Sequence, residues 1–177
     1  MKQSISGLME VWHQVATRNL EDLGPNLQKV VSRLQSNQRL LKLLYYTGKD
    51  PYSEADLTQE QIKNEIYEKL IKVVPRVGSK ELATSIVTMR VVRGRSNPGN
   101  NEFRDFELDL EIFVPLTQWF IKDSNLRPFA IMGEIHKSLN NKTIDGLGKM
   151  VGGDFQINFL TDEISCYEMV YSFTSYD

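Results

Sequence analysis

The sequence predicts an α+β fold in which an N-terminal helical region precedes an antiparallel β-sheet with one covering helix. Two observations support this prediction. Apolar residues recur at helical spacing up to about residue 73, and from about residue 87 they alternate with polar residues. We therefore divide the chain into a helical region, 1–80, packed on the core and a ββαββ core, 81–177, that contains two hairpins.

Three helices are predicted in the N-terminal region. The first covers about residues 6–21, and the second opens at Pro25. The third begins at a capping box made by Thr58 and Gln61 and ends at Pro75 and Gly78. The apolar residues of the second helix are Leu27, Val30, Val31 and Leu34, with an interruption at Ser36 and Asn37 before an apolar run at 40–45, and those of the third are Ile62, Ile66, Leu70 and Val73.

Two long alternating segments predict the first hairpin. A turn near Pro98 would set Arg90 opposite Glu107, and the connection 93–101 is expected to be a mobile loop rather than a tight turn. This register gives one buried apolar face and one solvated polar face. The apolar face holds Val87, Met89, Val91, Phe106, Leu108 and Leu110, and the polar face holds Thr88, Arg90, Asp105, Glu107, Asp109 and Glu111.

The remainder of the chain supplies the covering helix and the second hairpin. The helix opens at Arg127 and Pro128, and the glycine-rich stretch 146–153 is expected to be an irregular loop. Strands at about 155–159 and 164–173 are joined by a turn at 161–163. The residues expected to face the core from the helix are Phe129, Met132, Ile135 and Leu139.

Composition excludes several classes of protein. The net charge of −2 argues against a simple basic nucleic-acid binder, and no apolar run approaches the roughly 20 residues of a membrane span. A single cysteine, Cys166, excludes an internal disulfide framework, and with only His13 and His136 beside it a structural zinc site is not expected. We expect Cys166 to be a small residue in the core or at its boundary, and His136 to be exposed or at the boundary. The N-terminus does not resemble a signal peptide, so a cytoplasmic protein is expected.

Four carboxylates, at Asp105, Glu107, Asp109 and Glu111, lie at every second position of one strand and so share a face. A solvated or interface surface, a cation site and a magnesium-dependent nuclease site are the alternatives. Neighbours on one face of a strand are about 6–7 Å apart, which is too wide for all four to share one ion, and the pattern lacks a following lysine. We therefore expect no catalytic, cofactor or metal site and no enzyme activity.

The order of helix, long hairpin, helix and second hairpin over residues 81–177 resembles the tail-terminator (tail-completion) and neck proteins of long-tailed bacteriophages. The likeness rests on the strand Phe106–Pro115, on the helix after Arg127 and on the aromatic strand 167–173. It implies a virion protein, assembled in the host cytoplasm, that forms a ring, typically a hexamer, at the head-proximal end of the tail. Such a ring ends tube assembly, binds tail-tube and head-connector proteins, and lets DNA pass without binding it specifically.

Two surfaces follow from this resemblance. The acidic row Asp105, Glu107, Asp109 and Glu111 would line the channel or an interface, and negative charge there would keep DNA from adhering. The basic loop with Arg93, Arg95, Asn97 and Arg104 would order against acidic groups of a neighbouring subunit. Two other functions remain open: a metal-dependent nuclease that uses the acidic strand, and a cytoplasmic adaptor that binds a partner through the N-terminal helices.

Overall fold

The computed structural model describes residues 20–74 and 83–175 of the protein. The helices are α1 (Leu23–Gln35), α2 (Gln38–Tyr45), α3 (Gln59–Gln61) and α4 (Arg127–Leu139). The strands are β1 (Ile71–Val73), β2 (Ile86–Asn97), β3 (Asn100–Pro115), β4 (Phe120–Ile121), β5 (Asn125–Leu126), β6 (Thr143–Ile144), β7 (Gly148–Lys149), β8 (Val151–Leu160) and β9 (Ile164–Ser175). Short 3₁₀ turns cover Pro51–Ser53, Leu116–Gln118 and Lys122–Ser124, and a π-helical turn, Ile62–Ile66, follows α3. Most of the predicted first helix, with His13, lies outside the described residues, as do Pro75 and Gly78.

Five strands form the main sheet in the order β1-β2-β3-β9-β8. β1 runs parallel to β2, and the other neighbours are antiparallel, so the sheet is mixed. The α+β prediction is confirmed. Helices α1, α2 and α4 pack together on one side, and their buried residues form a single apolar cluster with that side of the sheet. We call this side the helix face and the opposite side the second face.

The helix face is closed by the apolar residues that the spacing predicted. Leu108 and Leu110 of β3 are fully buried, as expected, among residues of the three helices. The interruption before α2 is also confirmed, because Asn37 caps that helix by accepting a hydrogen bond from the backbone of Leu40 at 3.2 Å. The buried residues of α1 and α2 are Leu27, Val30, Val31 and Leu34, followed by Leu40, Leu41, Leu43 and Leu44.

The predicted third helix is wrong beyond its first turns. The capping box of Thr58 and Gln61 is present, but the chain leaves the helical path after the π-helical turn, and Glu68 takes a left-handed backbone with φ 59°. Residues Ile71–Val73 then form β1 beside β2. Parallel pairing with the sheet is favoured by the β-branched residues there and prevails over the helical spacing of the apolar residues.

The first hairpin differs from the prediction in its turn and its register. Its strands continue to Asn97 and Asn100 and are joined through Pro98 and Gly99, so the expected long loop is wrong. Arg90 lies opposite Asp109, two residues from the predicted partner. One extra residue in β2 and three in β3 produce this net shift at two β-bulges. Because the shift is even up to Val91, the side chains assigned to the two faces of the hairpin keep their predicted faces, whereas the bulge after Val91 turns Arg93 to the face of Glu107.

Helix α4 covers the sheet as predicted, with one exception. Met132, Ile135 and Leu139 are buried, whereas Phe129 is 42% exposed at the margin of the helix layer, where its ring meets those of Phe155 and Tyr167. Phe129 lies two turns before the exposed His136 and therefore on the same side of α4, away from the face that packs on the sheet. Phe129 therefore belongs to the surface and not to the core.

Arg127, at the start of α4, is completely buried. Its guanidinium donates hydrogen bonds to four backbone carbonyls, those of Gln118 (2.8 Å), Leu43 (2.7 Å), Tyr46 (2.7 Å) and Gly48 (2.5 Å). Burial lowers the pKa of this guanidinium from its usual value. Two of the acceptors lie at the end of α2, where unpaired carbonyls give a negative potential. Arg127 therefore joins α2, α4 and the segment before β4.

The glycine-rich stretch is more regular than predicted, because it contains β7 and the start of β8. Gly152 has φ 142°, and a side chain there would place its Cβ 2.5 Å from the carbonyl oxygen of Val170 in β9. Glycine is thus required at the bulge through which β8 approaches β9. The second hairpin, with its turn at 161–163, is confirmed.

Candidate interaction surfaces on the sheet

The acidic row lies on the second face, but only half of it is accessible. Asp109 and Glu111 are 5% and 6% exposed, whereas Asp105 and Glu107 are half-buried. The predicted solvated face is therefore wrong at Asp109 and Glu111. Thr88, expected to be wet, is buried beside them. We call Asp109 and Glu111 the inner pair, because they are buried, and Asp105 and Glu107, nearer the hairpin turn, the outer pair.

Arg90 of β2 compensates the inner pair. Its Nη2 lies 3.4 Å from Asp109, 3.2 Å from Glu111 and 3.8 Å from Glu168 of β9. One guanidinium thus serves three carboxylates, each of them largely removed from water. A single positive charge among three acids leaves the cluster with an excess of negative charge when all three are ionised.

The excess charge is relieved by a proton. Burial first, and then the hydrogen bond with Glu168, raise the pKa of Asp109 to about 6. The pKa of Glu168 is lowered, first by a hydrogen bond from Gln156 and then by the hydrogen bond with Asp109. Asp109 is therefore the member of this pair that holds a proton in mildly acidic solution.

The other partners of these three carboxylates come from β2 and β8. The Asn158 amide donates to Glu111 at 2.9 Å, the Thr88 hydroxyl donates to Glu111 at 3.5 Å, and the Gln156 amide donates to Glu168 at 2.7 Å. The site predicted from the sequence lacked Glu168, Gln156 and Asn158. Alternation within β9 places Glu168 on the second face, but only the strand order brings β9 between β3 and β8.

Two residues near the hairpin tip, Arg93 and Asn97, contact the outer acidic pair. Arg93 lies 3.9 Å from Glu107, and the Asn97 amide donates to Asp105 at 3.0 Å. Hydrogen bonds from Asn97 and Thr174 lower the pKa of Asp105. Arg95 is paired across the strands with Asp105 and Arg104 with Ser96. The hairpin tip is thus a continuation of β2 and β3 that carries charges of both signs. Its contact with a neighbouring subunit stays a prediction.

Other candidate reactive groups have ordinary surroundings. Cys166 is fully buried, as predicted, and burial raises the pKa of its thiol to about 12, which keeps it protonated. His136 is exposed, as expected, with its Nδ1 3.4 Å from the Tyr171 hydroxyl.

Within residues 20–74 and 83–175, no group of three His, Cys, Asp or Glu side chains is arranged to hold a metal ion. The helices in that part of the chain are too short or too polar to cross a membrane.

The fold and these surfaces define an α+β protein with a mixed sheet, helices on one side and a charged network on the other. The model of the YomW family matches residues 37–173, from the cap of α2 to β9, and the chain belongs to this family. Family membership points to a phage-associated protein. A search of the curated proteins found no match to the chain.

Proposed function

We propose that this protein is a structural component of a phage particle, a tail terminator or another neck protein. It forms a homo-oligomeric ring, typically a hexamer, at the head-proximal end of the tail. In this role it ends tube assembly and joins the tail to the head through surface contacts, without catalysis. It is located in the virion after assembly in the host cytoplasm. Its partners are other copies of itself, the tail tube and head-connector proteins.

The observation that carries this proposal is that half of the acidic row is buried and paired, in a chain that belongs to a phage-associated family. A nuclease would need carboxylates open to a metal ion and to water. Asp109 and Glu111 are instead buried and paired with Arg90. This arrangement supports a structural role for the inner pair. The outer pair, Asp105 and Glu107, is the part of the row that can face a neighbour or a channel.

Imaging of the purified protein by negative-stain microscopy tests the ring, with closed particles expected. In the phage that encodes the protein, deletion of the gene should give filled heads and separate tails that fail to join. A purified protein that cleaves DNA with Mg²⁺, or a deletion that leaves joined particles intact, would contradict the proposal.

Charge reversal tests the channel role of the outer pair. Glu107→Lys should leave the ring intact and create DNA binding that weakens as salt increases, because a new positive charge releases phosphate counterions. Glu163→Lys, in the exposed turn between β8 and β9, is the matched control and should not bind DNA. Equal DNA binding by both variants, or by neither, argues against a channel-lining position for Glu107.

A further inference from the structure

β8 forms an edge of the sheet in which a regular segment, residues 154–157, lies between two β-bulges. Among the described residues its strand neighbour is β9, and its other side faces outward. The strand Val151–Leu160 spans ten residues and contains one charged side chain, Asp154, and no proline. Natural edge strands are commonly protected by lysines, prolines or a covering segment, because free backbone groups accept further strands.

An apolar surface continues from this edge onto the helix layer. Phe155 and Ile157 are 57% and 52% exposed, and their cross-strand partners Met169 and Tyr167 lie on the helix face. Phe129 of α4 joins them, with its ring centroid 6.3 Å from that of Phe155. Three such half-exposed side chains offer about 300 Å² of apolar surface per copy. This lies at the lower end of the roughly 300–600 Å² that the largest apolar patch of a monomer covers, and such patches are often functional.

We propose that this edge binds a second copy of the same chain through antiparallel pairing of the two β8 strands about a twofold axis at Gln156. The support is the self-complementarity of the strand. Pairing centred on Gln156 places Phe155 opposite Ile157 of the other copy on the helix face, twice, which is a favourable aromatic and β-branched pair. On the second face it places Asp154, a carboxylate, opposite the amide of Asn158 in the other copy.

The neighbouring registers match less well. Centring the axis on Phe155 sets Ile157 against Gly153, which offers no side chain. An axis placed between two consecutive residues would pair side chains of the helix face in one copy with side chains of the second face in the other. The apolar surface is smaller than the roughly 800 Å² per partner of a standard interface, so we expect a dimer of micromolar affinity.

This contact goes beyond the proposed ring. A ring uses two different surfaces on each subunit, whereas the twofold contact uses one surface twice. The pairing can therefore be measured on the purified protein without tail or head components. Its failure would leave the ring untouched, and a failure of the ring would leave the pairing untouched.

The first measurement is cross-linking of Gln156→Cys with a short bis-maleimide. Residues directly opposite on paired strands have Cβ atoms about 5 Å apart, so this variant should link to itself as a dimer. Ser96→Cys, an exposed position of β2 near the tip of the first hairpin, is the matched control and should remain unlinked, as should the wild-type chain with its buried Cys166. Failure of Gln156→Cys to link, or equal linking of Ser96→Cys, overturns the proposal.

The second measurement is sedimentation velocity across the micromolar range. Whether or not the chain also forms rings, the wild-type protein should show a concentration-dependent association step that doubles the sedimenting mass. Phe155→Glu should raise the dissociation constant of that step at least about tenfold by placing a carboxylate against Ile157. Val92→Glu replaces an exposed apolar residue of β2 and should leave the constant unchanged. Thermal unfolding should show that both variants fold. A wild type without this association step, or equal dissociation constants for wild type and Phe155→Glu, overturns the proposal.

Discussion

Two arginines hold the two sides of the sheet in different ways. Arg127, in the helix layer, is fully buried and donates to neutral backbone carbonyls, while Arg90, on the second face, meets three carboxylates and keeps a third of its side chain exposed. The first arrangement does not change with pH in the range where proteins fold. The second includes a carboxyl that titrates near pH 6. The contacts of Arg127 in the helix layer are thus independent of pH, whereas the charge around Arg90 on the second face changes when Asp109 gains or loses a proton.

The largest expected effect comes from removing Arg127. Arg127→Met keeps the aliphatic volume but leaves four buried carbonyls without their donor, and we expect a loss of about 3–5 kcal/mol in the free energy of unfolding. Urea unfolding at several pH values measures it, and the loss should be similar at each. Arg95→Met removes an exposed guanidinium and should change stability by less than about 0.5 kcal/mol. A loss that varies strongly with pH would break the proposed contrast between the two arginines.

Two consecutive residues of β3 sharpen the comparison, because Leu110 points to the helix face and Asp109 to the second face. Leu110→Ala removes a fully buried side chain from a packed cluster and should cost about 2–4 kcal/mol through the cavity that remains. Chemical denaturation measures this value. A cost well below about 1 kcal/mol would mean that the helix layer collapses into the cavity and is less fixed than described.

The smallest expected effect concerns Asp109 and has a defined sign. Its pKa is higher in the folded than in the unfolded protein, so its contribution is complete below pH 4 and is lost as pH rises through about 6. Asp109→Asn imitates the protonated form. The variant should match the wild type near pH 3.5 and exceed it by about 1 kcal/mol near pH 7.5, a value reduced for screening by solvent.

Unfolding curves at the two pH values test this difference. Glu107→Gln, two positions along β3 on the same face, is the control and should show no such gain at high pH. A destabilised Asp109→Asn at pH 7.5 would mean that attraction between Asp109 and Arg90 outweighs the cost of burying the charge.

Much of the fold could be predicted because alternation and helical spacing are local properties of the chain. They correctly assigned Leu108 and Leu110 to the core and placed all four carboxylates on one face. The same spacing failed at Ile71 and Val73, since a neighbouring strand offered backbone pairing that no local pattern reveals. The two-residue register shift of the first hairpin could not be predicted from alternation either, because it changes the cross-strand partner of Arg90 but not the face on which its side chain lies.

The candidate site could be predicted only in part, for reasons of topology. The burial of Asp109 and Glu111 depends on Arg90, Glu168 and Asn158, which three different strands bring together. Arg127 was identified only as the start of a helix. Its burial follows from carbonyls about 80 positions earlier in the chain, and nothing in the local sequence distinguishes it from an exposed arginine.

The strand order has a consequence for synthesis of the chain on the ribosome. β9 comes late in the sequence, yet it lies between β3 and β8, so β8 joins the main sheet only through it. Until β9 has left the ribosome, β3 lacks one of its two partners and β8 has none in this sheet. The nascent chain therefore exposes unpaired strands almost until translation of the described region is finished. Loss of the last dozen residues of that region would remove two strands from the sheet and not one.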